Sequence, residues 1–178
     1  DSSFAIIAGG VTDNGNATVT EKGFVYNTTG TDLNAGETTT VINADADNSS
    51  FSEIIEDLNA NTQYYFRAYA TNSTGTGYGN TESFYTHAAT PLAPSITNPT
   101  TNSLDVTVND NGASLYSITV LGGIIDGYLN TDGTISETPV WADASSWVNV
   151  TLADLTPQTS YLFAVNAQNA SGIETGEG

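Results

Sequence analysis

From Tyr64 to Thr71 the side chains alternate one by one, with Tyr64, Phe66, Ala68 and Ala70 on one side and Tyr65, Arg67, Tyr69 and Thr71 on the other. A period of two is that of a half-buried β-strand. The same alternation returns at Tyr161, Phe163, Val165 and Ala167. Residues 4–12, 17–27, 40–46, 51–58 and 78–86 read as further strands, as does Leu115 to Leu121. Asp13-Asn14-Gly15-Asn16 and Asp110-Asn111-Gly112 have the chemistry of tight turns, and the first is expected to close a hairpin between residues 4–12 and 17–27. No window sustains a 3.6-residue period, so almost no helix is expected.

The alternation belongs to an internal repeat. LNANTQYYFRAYATNSTG, from Leu58 to Gly75, returns without a gap as LTPQTSYLFAVNAQNASG, from Leu155 to Gly172, at an offset of 97 residues (155 less 58). A repeat of that period is of domain size. Its opening has a mechanical reading: Leu58 or Leu155 closes one strand, a polar turn follows, and Tyr64 or Tyr161 opens the next. In a β-sandwich such a tyrosine buries its ring and returns its hydroxyl to the backbone a few residues upstream, locking the crossover between sheets.

The pattern L-x-x-x-T-x-Y-x-F-x-x-x-A-x-N-x-x-G resembles the corner and following strand of fibronectin type III domains. The run from Tyr128 through Trp141 and Trp147 to Tyr161 resembles a bacterial subtype of the same family, and residues 4–27 resemble a repeat of large secreted bacterial proteins. The resemblance implies an all-β chain of two tandem fibronectin type III-like, immunoglobulin-like sandwiches. The expected division is residues 1–88, a Pro-containing linker at 89–94, and residues 95–178. Residues 82–86 map by the offset to 179–183, so the second sandwich is expected to lack its last strand here. That strand would come from continuation of the polypeptide or from a neighbouring subunit.

Charge narrows the partners. Twenty acids face Lys22 and Arg67, for a net charge of −18. The two halves share it equally: 11 acids less two bases in residues 1–90, and 9 acids with no base in residues 91–178. With so little basic surface, nucleic acid and anionic membrane are excluded as expected partners, and no membrane insertion is foreseen. The chain has no Cys, which removes thiol catalysis and disulfides. It also has no Met and no signal-like or membrane-spanning run, the pattern expected of a processed product or a segment of a longer chain.

Chemistry along the chain is sparse. The single histidine, His87, lies in the expected linker, and no G-x-S-x-G elbow or phosphate loop occurs. No catalytic residue is assigned and no enzyme is expected. Calcium is the one cofactor with candidate ligands, the oxygen-bearing side chains of Asp45, Asp47 and Asn48, although EF-hand spacing is absent. Tyr65, Arg67 and Tyr69 share the expected outward face of their strand, as a cation–π brace or an interface. Tyr128, Trp141 and Trp147 could stack on glycans or fill the core.

Together these features describe a structural or adhesive module, a spacer, stalk or filament building block, of an extracellular, secreted or surface-attached bacterial protein. Its expected partners are neighbouring domains or subunits. The alternatives are a carbohydrate-binding accessory module of a secreted polysaccharide-degrading enzyme and a decoration domain of a phage virion, which shares the fold.

Overall fold

The computed structural model describes residues 3–35, 40–44 and 50–175. The chain folds as two compact units, Asp1–Thr86 and His87–Gly178.

The first unit contains β1 (Ala5–Gly10), β2 (Val19–Asn27), β3 (Thr40–Ala44), β4 (Ser50–Ile55), β5 (Gln63–Asn72), β6 (Gly75–Tyr78) and β7 (Glu82–Tyr85). β1 pairs antiparallel with β4, from Ala5 opposite Ile55 to Gly10 opposite Ser50. The other sheet runs β3-β2-β5-β6, with β7 also on β5, opposite Gln63 to Phe66. Between the sheets lie Ile7, Phe24, Ile55, Leu58 and Tyr64, with Phe51, Phe66 and Phe84 packed against them. The rings of Phe24 and Phe51 are 4.8 Å apart and those of Tyr64 and Phe84 5.8 Å, distances at which aromatic pairs attract beyond their buried area.

Here the expected hairpin is corrected. β1 and β2 lie in different sheets and face each other across the core. The turn chemistry is as the sequence indicates: Asp13 Oδ1 accepts the Gly15 N–H at 2.8 Å, and Gly15 and Asn16 take left-handed φ of 60° and 59°. A tight bend reverses the chain, but burial chooses the pairing. Ile7 and Phe24 both gain more from opposing inner faces than from lying side by side in one sheet.

The second unit contains β8 (Ser95–Thr97), β9 (Leu104–Thr107), β10 (Leu115–Gly122), β11 (Ile125–Leu129), β12 (Ile135–Ser136), a 3₁₀ turn at Ala144–Trp147, β13 (Val150–Leu152), β14 (Leu162–Gln168) and β15 (Glu174–Thr175). One sheet is β13-β9-β8, the other β12-β11-β10-β14-β15. The Asp110-Asn-Gly112 bend carries the chain from β9 to β10, again between sheets. By the 97-residue offset β9 answers to β1 and β10 to β2. β8 has no counterpart among the described residues of the first unit, and β7 has none among those of the second. β15 pairs with β14 only at Ala167 and Gln168.

The second core is built on Trp147, Tyr116, Ile118, Val120, Leu129 and Val165, all fully buried, together with Ala88. Asp143 caps the 3₁₀ turn, its Oδ1 accepting the Ser146 N–H at 3.0 Å, which sets Trp147 into that core. The β10–β11 turn needs glycine: Gly122 has φ 146°, and a Cβ there would lie 2.4 Å from the Ser160 carbonyl oxygen. The Pro-bearing segment is fastened to this unit. Asn111 Nδ2 donates to the Thr90 carbonyl at 2.7 Å and Asn109 Nδ2 to that of Ala93 at 2.7 Å.

Candidate functional site

The repeated corner is built identically in both units. The Tyr64 hydroxyl accepts the Asn59 N–H at 3.0 Å, and the Tyr161 hydroxyl accepts the Thr156 N–H at 2.8 Å. Each bond reaches five residues upstream, and the positions are 97 apart. The backbone between repeats too: φ is positive at Asp57 and Asp154 (56° and 58°) and at Asn61 and Gln158 (49° and 56°). Non-glycine residues in that region carry strain, so four such positions in matching pairs mark a geometry fixed by the surrounding fold. Leu58 and Leu155 are buried beside their tyrosines. In the first unit Thr86 Oγ1 ties the turn again, donating to the Asn59 carbonyl at 2.7 Å and accepting the Thr62 N–H at 2.9 Å.

The second candidate, Tyr65, Arg67 and Tyr69, does not stand open on its strand. Tyr69 is only 2% exposed and packs with Val25 and Leu33 in a second apolar cluster on the outer side of the β2–β5 sheet. Part of the chain between β2 and β3 folds over that face, which the polar composition of residues 28–35 conceals. Asn27 Oδ1 starts the loop by accepting the Gly30 N–H at 2.9 Å. Arg67 then holds it: Nε donates to the Leu33 carbonyl at 2.6 Å, and Nη2 donates to Asn34 Oδ1. The guanidinium lies 4.1 Å from the centre of the Tyr78 ring, and not between Tyr65 and Tyr69 as the alternation suggests. The Tyr69 hydroxyl donates to Glu21 Oε1 at 2.6 Å. Burial, followed by this bond to the carboxylate, pushes the hydroxyl's pKa well up.

The aromatic trio separates. Trp147 is fully buried, its Nε1–H donating to the Tyr116 carbonyl at 3.1 Å, and so cannot stack on a sugar. A large indole with a satisfied N–H is worth most inside a sandwich core. Trp141 and Tyr128 are half-buried. Asp45, Asp47 and Asn48 lie outside the described residues. Among the described residues no three His, Asp or Glu side chains gather as a metal group.

Two further features lie in the first unit. Lys22 is fully buried on the inner face of β2, its Nζ 4.9 Å from the centre of the Phe51 ring and, among the described residues, without a hydrogen-bond partner. A cleft of about 450 Å³ opens between the sheets of the first unit, lined by the Val11–Gly15 bend, Phe51, Ala68, Ala70, Asn72 and the β6 glycines. Its one legible sign was the run of small residues at Ala68, Ala70, Gly77 and Gly79, which leaves the space between the sheets unfilled.

No family model matches the chain, and no curated protein does. Solved structures do. A two-domain fibronectin type III segment of chicken tenascin aligns over 99% of this chain and 91% of its own, with a TM-score of 0.59 and 16% identity. The FN1–FN3 domains of chicken CNTN1 align over 100% of this chain and 58% of their own, with a TM-score of 0.39 and 13% identity. The fold is thus that of tandem fibronectin type III-like sandwiches, and at such identity the likeness reaches no further than the fold. Among the described residues no helix is long and apolar enough to cross a membrane.

Proposed function

We propose that the chain is a non-catalytic structural or adhesive module, serving as spacer, stalk or filament building block in an extracellular bacterial surface protein. The observation that carries this reading is the doubled corner: the same tyrosine-to-backbone bond, the same strained turn and the same pair of packed sheets occur twice in one chain. Repetition of a braced sandwich gives the chain two units, each of which has to unfold before its residues can extend. A net charge of −18, divided equally between the halves, discourages lateral clumping and leaves divalent cations or neighbouring subunits to mediate contacts.

The carbohydrate-binding alternative draws no support from Trp147, since a buried ring is withdrawn from any platform. Screening the whole chain against an array of bacterial and plant polysaccharides separates the two. The structural reading expects no saturable binding. Binding that is abolished by Trp141→Ala while the fold persists would replace it with the carbohydrate reading.

A further inference from the structure

The outer face of the large sheet is covered in the first unit and open in the second. β5 and β14 correspond at the offset of 97, so Tyr65 and Tyr69 answer to Leu162 and Asn166. Through the strands they pair with, Val25 and Asn27 answer to Thr119 and Leu121. In the first unit residues 28–39 join β2 to β3, and the described part of that connection lies over the face. Leu33 clusters with Val25 and Tyr69, with Ala35 packed against them. The Gly30 backbone rests on the Tyr65 ring so closely that a Cβ would lie 3.2 Å from it. Val25 is fully buried as a result. In the second unit residues 123–124 alone join β10 to β11, too short a turn to reach over the sheet.

The face left open is apolar. Leu121 and Leu162 are direct cross-strand partners, 40% and 63% exposed, and Ile124 in the adjoining turn is 88% exposed. Thr119, Ala164 and Tyr128 continue the face, since Thr119 pairs with both of the others. Single exposed apolar side chains are ordinary, whereas a contiguous group marks a contact surface. A further strand beside β14 would not cover it, because strands extend a sheet within its own plane. In the first unit β7 runs beside Tyr65, and the cover of that ring still comes from the β2–β3 connection.

Charge selects the occupant. Each chain carries −18, yet the only charged side chain in β10, β11 and β14 is Asp126, opposite Leu121. Copies of the chain repel each other over most of their surface and meet the least repulsion here. A two-fold contact lays the same patch on both partners, so it favours a flat face with little charge of its own. We propose that this face is a self-association surface, on which the second units of two copies pack together. Each copy supplies the apolar cover that Leu33 and Ala35 supply within the first unit. The contact is small, which makes the dimer weak and reversible. Salt strengthens it, because screening reduces the repulsion between the acidic remainders and leaves the apolar burial in place. Such pairing is independent of the mechanical role proposed above.

The test is sedimentation of the full chain at about 0.01 M and about 1 M sodium chloride, between which the Debye length falls from roughly 30 Å to 3 Å. The dimer is expected to gain at the higher salt. Leu162→Ser removes two leucines from each dimer and should weaken it by about tenfold. Asp126→Asn removes the carboxylate from both faces and should strengthen the dimer at low salt, a gain that a damaged fold would not give. Tryptophan-detected unfolding with an unchanged midpoint confirms that the second unit is intact in both variants. The other exposed apolar pair, Ile6 with Ile54, lies on the two-stranded sheet of the first unit and serves as the control: Ile54→Ser should leave association unchanged. A monomer at both salt concentrations, a dimer indifferent to Leu162→Ser, or one disrupted by Ile54→Ser instead would each overturn the proposal.

Discussion

Replacing Tyr64 with Phe removes one hydroxyl and leaves the ring. That hydroxyl accepts the Asn59 N–H in a part-buried position, and Tyr64 itself is 6% exposed. Leaving a buried N–H unpaired costs about 1–3 kcal/mol, against a net worth of roughly 0.5–1.5 kcal/mol for a hydrogen bond that water can replace. Partial access places Tyr64→Phe at about 1–2 kcal/mol. Tyr161→Phe should cost less, about 0.5 kcal/mol, since the Thr156 N–H it releases is exposed to water. For a domain of this size 1 kcal/mol shifts the melting midpoint by about 4–8 °C, so Tyr64→Phe should lower the first unit's midpoint by about 4–16 °C. Both tryptophans, Trp141 and Trp147, belong to the second unit. Tryptophan emission therefore follows that unit alone, while calorimetry follows both. The reasoning fails if Tyr64→Phe leaves the first unit's midpoint in place, or if Tyr161→Phe is the more damaging change.

Three further outcomes follow from the packing and the charges. Trp147→Ala empties the centre of the second core at a cost of about 3–5 kcal/mol, most of a small domain's stability; calorimetry should show the second transition lost and the first retained. Lys22→Met keeps the apolar stem but removes a buried Nζ that has no hydrogen-bond partner among the described residues. The relief of about 1–3 kcal/mol exceeds the lost attraction to the Phe51 ring, so the first unit should melt higher, and a lower midpoint would contradict this. Hydrogen bonds hold four carboxylates of the second unit below the usual range: Asp105 from Asn98 and Thr151, Asp110 from the Gly112 N–H and Tyr116, Asp132 from Thr134, and Asp143 from Ser145 and Ser146. Lowered folded pKa values stabilise above the unfolded value of about 3.9 and cease to do so as pH falls through the folded values. Tryptophan-detected unfolding of the second unit should therefore ease below about pH 4. The Tyr69 hydroxyl, raised by burial and Glu21, gives the opposite sign: its contribution to the first unit is present below about pH 10 and is lost as pH rises through the raised value.

The corner was legible because its residues act locally. Tyr64 and Asn59 are five apart, and a Leu, a turn and a Tyr at fixed spacing define the bond without knowledge of the rest of the fold. Strand pairing was not legible in that way. Asp13-Asn-Gly-Asn16 announces a bend, but whether β1 and β2 then lie side by side or face to face depends on Ile55 and Phe66, which are distant in sequence. Alternation along β5 separated two faces correctly and misjudged one as exposed. Its cover comes from Leu33 and Ala35, two apolar side chains in a polar stretch. Trp141 and Trp147 are equivalent as letters, and only the Asp143 cap and the Tyr116 carbonyl decide that the second is the core residue. The cleft left a fainter sign, the small side chains at Ala68, Ala70, Gly77 and Gly79, whose effect depends on which distant residues face them across the sheets.

If the chain serves as the proposed structural module, its two compact units should each resist extension separately. Pulling it between its ends in a single-molecule force experiment tests this directly. The units comprise 86 and 92 residues (178 less 86), and at about 3.3–3.6 Å per extended residue each should release roughly 28–33 nm of chain, less its folded length. Two distinct unfolding steps of nearly equal length are expected, one of them weakened by Tyr64→Phe and the other by Tyr161→Phe. A single step releasing the whole chain, or extension without resolved steps, would contradict it.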